Sequence, residues 1–328
     1  MTTATESAGP ARACPICGGR TAPAQNGMYD DRYGHPGLYD WRRCTRCGHT
    51  FIDAEFTTEE LGQLYSDWYP RATQRYEDLP PLARTTGFAA WLGGERHAAH
   101  SWVPRDVAVL DIGCSFGRTL ALHVSRGCTA VGVEADAHAV AEARRQGLSV
   151  THGLFDPAAY APASFDYVTM DQVLEHANDP VAFLRGVAFV LKPGGIAVIS
   201  TPNVASYGAK IFGARWINWH TPYHLNLFTK SSLRRLAGDV GFEVRSIRTI
   251  TASAWLRYQW IQLFTRPQPG EPHPFWDPKR SPRRLGRWVR ISARLLDKAK
   301  AFHVVTRVAD GLGGGDNLLA ILVKPVRR

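Results

Sequence analysis

The sequence predicts a doubly wound α/β fold, with helices on both faces of a mostly parallel sheet. Residues 107–112 are nearly all branched or aliphatic, as in a parallel strand buried on both faces. A turn of small residues over 113–117 and a helix over 117–126 come next. A second apolar run then ends at Glu134. Strands that alternate with helices in this way build a parallel sheet.

The turn after the first strand is a candidate nucleotide site. Gly113 and Gly117 lack Cβ, so the chain can turn sharply and a ligand can approach the backbone. The following helix directs its free N–H groups and positive dipole end at that ligand. Glu134, at the next strand end, is placed to accept both ribose hydroxyls. A dinucleotide fingerprint would need glycine at 115 and 118, where this chain has Ser115 and Arg118.

The run Asp111-Ile-Gly-Cys-Ser-Phe-Gly117 resembles the first motif of class I S-adenosylmethionine (SAM)-dependent methyltransferases, Asp-x-Gly-x-Gly-x-Gly. Ser115 replaces the middle glycine and still allows close approach. The resemblance implies a Rossmann-like seven-stranded sheet that binds SAM, and the alternative is a strand–turn–helix without a ligand. It implies cofactor contacts for Asp111, Gly113, Cys114, Ser115, Gly117, Glu134 and Ala135.

Two later segments extend the resemblance. Residues 165–180 are similar to the fourth strand of these enzymes and the segment where methyl group and substrate meet. The similarity places Asp171 and Gln172 near the methionine part of the cofactor, and His176 on the next turn. It also places Asp156 where relatives bind the adenine amine. A plain turn before Pro157 is the equal alternative for Asp156.

Two Cys-x-x-Cys pairs near the N-terminus predict one structural Zn²⁺ site with four thiolate ligands. The alternative is four unrelated reduced thiols, and His49 is a weaker substitute ligand that we expect in a loop. The ribbon and the helix expected after Thr58 resemble the lead-in of bacterial sugar and natural-product tailoring methyltransferases. The predicted ligands are Cys14, Cys17, Cys44 and Cys47.

Three histidines compete for the role of general base. His224 matches the histidine of a His-Leu/Phe-x-x-Phe-Ser/Thr segment that the family carries at the mouth of its site. Sugar C-methyltransferases have Glu-His at this point, where this chain has Tyr223-His224. His220 lies in a loop that permits either a catalytic or a structural role, and His176 is as well suited to shaping the pocket. A purely structural role for His224 is the alternative.

A basic insert separates the last two predicted strands. These strands lie near 242–248 and 317–324, and residues 249–316 are too long for a bare loop. Residues 266–309 contain 11 lysines and arginines against three acids, so they carry +8 of the net charge of +10. The insert can be a solvated face and substrate lid, a contact for an anionic lipid- or nucleotide-linked substrate, or an RNA contact.

We therefore expect a SAM-dependent methyltransferase acting on an oxygen or carbon of a small-molecule acceptor, such as a sugar or natural-product intermediate. An RNA methyltransferase and a non-catalytic binding module are the alternatives. The cysteine use and the polar N-terminus favour a cytoplasmic protein, monomeric or homodimeric, with peripheral membrane contact open to it. The expected organisation is a disordered segment (1–12), zinc ribbon (13–55), helical lead-in (56–104) and methyltransferase domain (105–328) with the insert at 249–316.

Overall fold

The computed structural model describes residues 12–69, 75–79, 82, 86–276 and 286–326 of the 328-residue chain. The strands in these ranges are β1 (Thr21–Met28), β2 (Tyr39–Cys44), β3 (Thr50–Ile52), β4 (Ala108–Ile112), β5 (Thr129–Glu134), β6 (Val150–His152), β7 (Phe165–Asp171), β8 (Leu191–Pro202), β9 (Asn226–Leu227), β10 (Glu243–Thr249) and β11 (Asn317–Val323). The helices are α1 (Thr58–Trp68), α2 (Gly87–Gly93), α3 (Arg118–Ser125), α4 (Ala137–Arg145), α5 (Pro180–Val190), α6 (Tyr207–Phe212), α7 (Lys230–Val240), α8 (Ser253–Leu263), α9 (Arg287–Lys298) and α10 (Ala301–Gly311).

Seven strands form one sheet in the order β10-β11-β8-β7-β4-β5-β6. Strands β4 to β8 pair in parallel, and β11 lies antiparallel between β8 and β10. The chain winds outward from β4 through β5 to β6, then returns to β7 on the other side of β4. This reversal creates a crevice at the carboxyl ends of β4 and β7, where open α/β sheets bind ligands. The predicted seven-stranded Rossmann-like fold is confirmed.

Both faces of the sheet are covered. Helices α5 and α7 pack together on one face, where Val168 and Met170 of β7 are fully buried. On the other face, a short helical turn at Ala99–Trp102 packs against β7 and β8, in contact with Val198. Because side chains of a strand alternate between faces, the continuous apolar runs of the sequence fill both layers.

The N-terminal ribbon is joined to the main domain by strand pairing. Strands β1, β2 and β3 form an antiparallel sheet, and β9 extends it through pairing of Thr50 with Leu227 and Phe51 with Asn226. Cys14, Cys44 and Cys47 belong to the same apolar core as the helices on the sheet face. The sheet of the ribbon expected at 13–55 is therefore completed by β9, a strand of the domain that follows it.

Between β10 and β11, the described residues form three helices and a loop that contacts the ribbon. Helix α8 packs against α9 and α10. The Tyr29 hydroxyl donates to the carbonyl of Pro267 at 2.8 Å, and the His273 N–H donates to the carbonyl of Arg32 at 2.8 Å. Residues 1–11 of the segment expected to be disordered lie outside the described residues, as do the basic residues Lys279, Arg280, Arg283 and Arg284. Arg12, the last residue of that segment, is ordered and donates to the carbonyl of Ala54 at 2.9 Å.

Local sequence rules account for the start of α5. Asp179 is the N-cap residue, and its carboxylate accepts hydrogen bonds from the backbone N–H groups of Val181 and Ala182, each at 2.9 Å. Pro180 occupies the first helical position, where a missing N–H costs nothing.

Among the described helices, none combines the length and the apolar character needed to span a bilayer.

Gly132 of β5 offers a test of how tightly the central sheet packs. A Cβ there would lie 2.5 Å from the Cys114 Sγ and 2.6 Å from the Leu120 Cδ1. We expect Gly132→Ala to lower the free energy of unfolding by about 1–3 kcal/mol through overpacking, measured by denaturant titration. Gly238→Ala in α7 is the matched control, since its Cβ would meet nothing within 4 Å. That change should stabilise the helix by about 0.5–1 kcal/mol, and a Gly132→Ala protein as stable as wild type would contradict the packing.

Candidate active site

The turn after β4 lies at the crevice where the sheet reverses its winding. The N–H of Gly117 donates to the carbonyl of Cys114 at 2.9 Å, and Gly113, Ser115 and Gly117 have φ of +73°, +51° and +79°. A Cβ on Gly113 would lie 2.5 Å from the Cγ2 of Val173, in the segment after β7. Glycine at 113 therefore lets the loops that follow β4 and β7 touch across the crevice.

Glu134 is fixed beside this turn. Its Oε2 accepts a hydrogen bond from the Ser115 N–H at 2.8 Å, and its Oε1 accepts one from the Asp136 N–H at 3.0 Å. The side chain is buried at the end of β5, next to exposed Ala135. The carboxylate thus keeps one orientation at the edge of the sheet.

Asp111 ties three elements of the sheet edge together. Its Oδ1 accepts a hydrogen bond from the Thr169 hydroxyl of β7 at 2.7 Å, and its Oδ2 accepts one from the Thr119 hydroxyl of α3. Burial raises the pKa of the Asp111 carboxyl to about 6, although both threonine hydroxyls favour the ionised form. Through these two hydrogen bonds, Asp111 fixes the start of the Gly113–Gly117 turn relative to β7 and α3.

Three other predicted cofactor residues have different surroundings. The Asp171 Oδ1 is buried and has no hydrogen-bond partner in the described part of the chain. Gln172 has a φ of +58°, and its side-chain amide donates to Ser200 Oγ at 3.0 Å and Asn317 Oδ1 at 2.8 Å. Its side chain is thus held on the β8–β11 side. Exposed Asp156 accepts from its near neighbour, the Ala158 N–H, at 2.9 Å, which matches the turn alternative.

The structure brings the three predicted histidines together. The ring centroid of His224 lies 4.8 Å from that of His176 and 4.9 Å from that of His220. His220 and His224 are both buried, whereas the sequence analysis placed His224 at the mouth of the site. The His220 ring also stacks on Tyr223 at 4.8 Å, and its Nδ1 has no hydrogen-bond partner among the described residues.

His224 is held in one tautomer. Its Nδ1 lies 2.8 Å from the carbonyl oxygen of Asn218, and because a carbonyl only accepts, Nδ1 carries the proton. The unprotonated Nε2 lies 4.0 Å from the Glu175 Oε1. Burial lowers the pKa of His224 well below its ordinary value, so the ring is neutral at pH 7.

Glu175 is a functional candidate that the sequence analysis did not select. Its Oε2 accepts from the Thr201 hydroxyl at 2.9 Å, while Oε1 is buried without a partner within the described ranges. Burial raises the pKa of Glu175 to about 8. The side-chain atoms of Glu175, His176 and His224 that could bind a metal ion all lie within 4.8 Å of one another, so the three side chains form one cluster. The position of Glu175 directly before His176 in the chain was the sequence signal that could have identified it.

Tyrosines complete the site and were also missed. The Tyr65 hydroxyl lies 2.7 Å from the His176 Nδ1, which is 2.8 Å from the carbonyl oxygen of Tyr223 as well. Tyr33, from the enlarged ribbon loop, contacts the rings of Tyr69 and Tyr223 at 5.0 and 5.3 Å. Tyr65 lies on α1 and Tyr69 directly follows that helix, so the helical spacing of the two tyrosines was visible in the sequence. Nothing in the sequence marked Tyr33.

The four N-terminal cysteines converge on one point. The Sγ atoms of Cys14 and Cys47 are 3.7 Å apart, and that of Cys17 is 3.5 Å from Cys44 and 3.6 Å from Cys47. A tetrahedron of sulfurs with metal–sulfur bonds of about 2.3 Å has edges of about 3.8 Å, so the cluster has the size of a four-thiolate metal site. His49 is outside it: its ring is buried and its Nε2 lies 3.1 Å from the Asn226 Oδ1.

The chain belongs to the methyltransferase domain family, which it matches over residues 71–247. Together with the Rossmann-like sheet and its turn at Gly113–Gly117, this membership makes the protein a SAM-dependent methyltransferase, as predicted.

Two similar proteins share a name. The ubiquinone biosynthesis O-methyltransferase of Thiobacillus denitrificans is 31% identical over 156 residues, which cover 44% of this chain and 67% of that enzyme. Its namesake from Stutzerimonas stutzeri is 30% identical over 169 residues, covering 46% of this chain and 73% of that one. The crystal structure of the cyclase SpnF, 20% identical, matches 84% of this chain and 98% of its own with a TM-score of 0.50. That similarity supports the fold alone.

Glu134 provides the test of the cofactor site. We expect Glu134→Ala to weaken binding of SAM or its demethylated product at least about tenfold, because a charge-assisted hydrogen-bond pair is lost. Calorimetry on the folded proteins measures the change. Asp156→Ala is the comparison: a turn-capping carboxylate predicts little change in affinity, and an adenine ligand predicts a loss. Unchanged affinity in Glu134→Ala would remove Glu134 from the site.

Proposed function

We propose that this protein transfers a methyl group from SAM to a hydroxyl oxygen of a small cyclic acceptor. The observation that carries the proposal is the pairing of a neutral, orientation-locked His224 with the unpartnered Glu175 Oε1 at 4.0 Å. The relatives named O-methyltransferases support oxygen as the acceptor atom.

His224 is the proposed general base. Its Nε2 takes the proton of the acceptor hydroxyl as the oxygen bonds to the methyl carbon. SAM supplies that methyl group, and the sulfur keeps the electron pair of the broken bond. The imidazolium that forms on His224 is stabilised by the Glu175 carboxylate, and the Nδ1–H bond to Asn218 keeps the ring aligned throughout. Because methyl transfer is an in-line displacement, this alignment of the acceptor is the main contribution of the protein.

The cofactor is proposed to lie along the carboxyl ends of β4, β5 and β7. The turn at Gly113–Gly117 and Glu134 would hold its adenosine, and Ala135 would contact the ribose. Asp171 is proposed to meet the positively charged methionine amine, since its buried Oδ1 has no other partner among the described residues. Gln172, whose amide bonds to β8 and β11, is proposed to shape this end of the crevice rather than to touch the ligand.

The acceptor is proposed to bind against the tyrosine rings that surround the histidines. The rings of Tyr33, Tyr65, Tyr69 and Tyr223 pack edge to face beside the histidines, and the Tyr65 hydroxyl lies 2.7 Å from the His176 Nδ1. Such an aromatic lining with polar tips suits a cyclic molecule with several oxygens. A sugar or a natural-product ring meets this description. The burial of His224 favours such a small acceptor over a structured RNA.

The four cysteines are proposed to hold one structural Zn²⁺. The sulfur separations fit tetrahedral coordination, and four protein ligands leave no position for a substrate. Zinc would fix the ribbon so that Tyr33 and β3 keep their places beside the site.

Replacement of one cysteine tests the metal. Elemental analysis should give about one zinc per chain, and Cys44→Ser should lower zinc content and stability while turnover per folded molecule changes little. Cys128→Ser is the matched control, because Cys128 is buried away from the cluster with its thiol 3.4 Å from the carbonyl oxygen of Pro104. Loss of turnover in a stably folded Cys44→Ser protein would instead indicate a catalytic metal.

Replacement of His224 tests the base. We expect His224→Gln to lower kcat by roughly 10²- to 10⁴-fold with cofactor affinity unchanged, as for a lost general base. His220→Gln should cost less, since the His220 Nδ1 has no hydrogen-bond partner among the described residues that would fix the ring. Near-normal turnover of His224→Gln at neutral pH would move the role to His220.

The pH profile separates the two members of the pair. Because the pKa of His224 lies well below its ordinary value, the base is already unprotonated at pH 7. Ionisation of Glu175, with a pKa of about 8, should therefore raise turnover as the pH rises through that value. Glu175→Gln should flatten this limb, and the same limb in wild type and Glu175→Gln would contradict the assignment.

A further inference from the structure

Helix α9 of the insert carries an apolar stripe on its exposed side as well as on its buried side. Val289 and Ala293 are buried against α8. Trp288, Ile291 and Leu295 are 56%, 45% and 61% exposed. Their spacing of three and four residues places them on one face of the helix. An exposed row of large apolar side chains is a mark of an interaction surface.

A basic stripe runs beside the exposed apolar one. Arg287, Arg294 and Lys298 are exposed and recur at helical spacing. Within the described part of the chain, none of them forms an ion pair, and the only acid on α9 is Asp297. The helix therefore shows solvent two parallel rows, one apolar and one cationic.

The apolar surface continues beyond α9. The ring of Phe264, 45% exposed at the end of α8, contacts Trp288 with centroids 4.7 Å apart. Helix α10, packed against α9, exposes Val304 and Val308, one turn apart. None of these side chains belongs to the proposed catalytic machinery.

We propose that the exposed face of α9 binds the surface of an anionic lipid bilayer. A helix that lies in the plane of an interface needs apolar side chains to enter the acyl boundary and basic ones to reach the phosphates, in adjacent rows. A second copy of this chain fits less well, because two cationic faces would meet and bury arginines without partners. RNA would use the basic row and leave the apolar row in water. The inference goes beyond methyl transfer and does not depend on the identity of the acceptor.

Vesicle co-sedimentation tests the proposal on the full-length protein. Wild type should bind vesicles of mixed phosphatidylglycerol and phosphatidylcholine, bind phosphatidylcholine alone much more weakly, and lose affinity as salt rises. Trp288→Ser/Leu295→Ser should reduce binding at least about tenfold through lost apolar contact. Val124→Ser/Phe189→Ser, which alters two exposed apolar residues on α3 and α5, is the matched control and should bind as wild type does.

Reversal of charge tests the row of basic residues on α9. Arg287→Glu/Arg294→Glu/Lys298→Glu should weaken binding by at least about 10²-fold, since each basic residue near an anionic surface contributes roughly fivefold. Arg105→Glu/Arg185→Glu/Arg234→Glu changes the net charge equally at exposed positions elsewhere and should lose far less. Thermal unfolding of each variant verifies the fold.

Three outcomes would overturn the proposal. One is a wild-type protein that fails to bind anionic vesicles at low salt. Another is equal loss of binding in the α9 variants and their matched controls. The third is a dimer, seen by light scattering, that the Trp288→Ser/Leu295→Ser change dissociates while vesicle binding stays as in wild type.

Discussion

The strand pairing between the ribbon and the main domain is the constraint on which the acceptor side of the site depends. Asn226 of β9 is its centre: the backbone pairs with Phe51, the side-chain oxygen contacts the His49 ring at 3.1 Å, and the amide donates to the carbonyl of Ala177 at 2.6 Å. One buried side chain thus links the ribbon, β9 and the segment after β7. The next residue back, Leu225, donates its N–H to the carbonyl of Glu175 at 2.8 Å. Displacement of β9 would therefore move both Glu175 and the proposed general base, His224.

Burial acts in opposite directions on the two members of that pair. Desolvation disfavours charge, so it raises the pKa of Glu175 to about 8 and lowers that of His224 well below its ordinary value. Both groups are consequently near their uncharged forms before reaction. In the proposed reaction, proton transfer to His224 creates a positive charge that Glu175 balances once its carboxyl is ionised, so the attraction between the two side chains arises as the proton is accepted.

The sequence predicted the half of the molecule that follows local rules. The strand–turn–helix at 107–126 and the acidic residue ending β5 both depend on short-range geometry, and they form as expected. The acceptor side combines distant segments: Tyr33 from the ribbon, Tyr65 from α1 and Tyr223 from the loop before β9. No local periodicity encodes such proximity. The orientation of the Gln172 side chain could not be predicted from the sequence either, because it depends on a positive φ and on hydrogen-bond partners in β8 and β11.

The position of β11 constrains how the chain can fold as it is synthesised. This strand pairs with β8 along residues 196–202 and with β10, yet it follows both in the chain and is separated from β10 by the whole insert. The cofactor half, from β4 to β8, can form while the ribosome is still translating the insert. Until β11 emerges, β8 and β10 have no strand between them, and their backbone hydrogen-bonding groups on that side are open to other chains. A nascent chain can therefore hold the strands around the crevice while the sheet still lacks one of its inner strands, and chaperone protection would matter most at that stage.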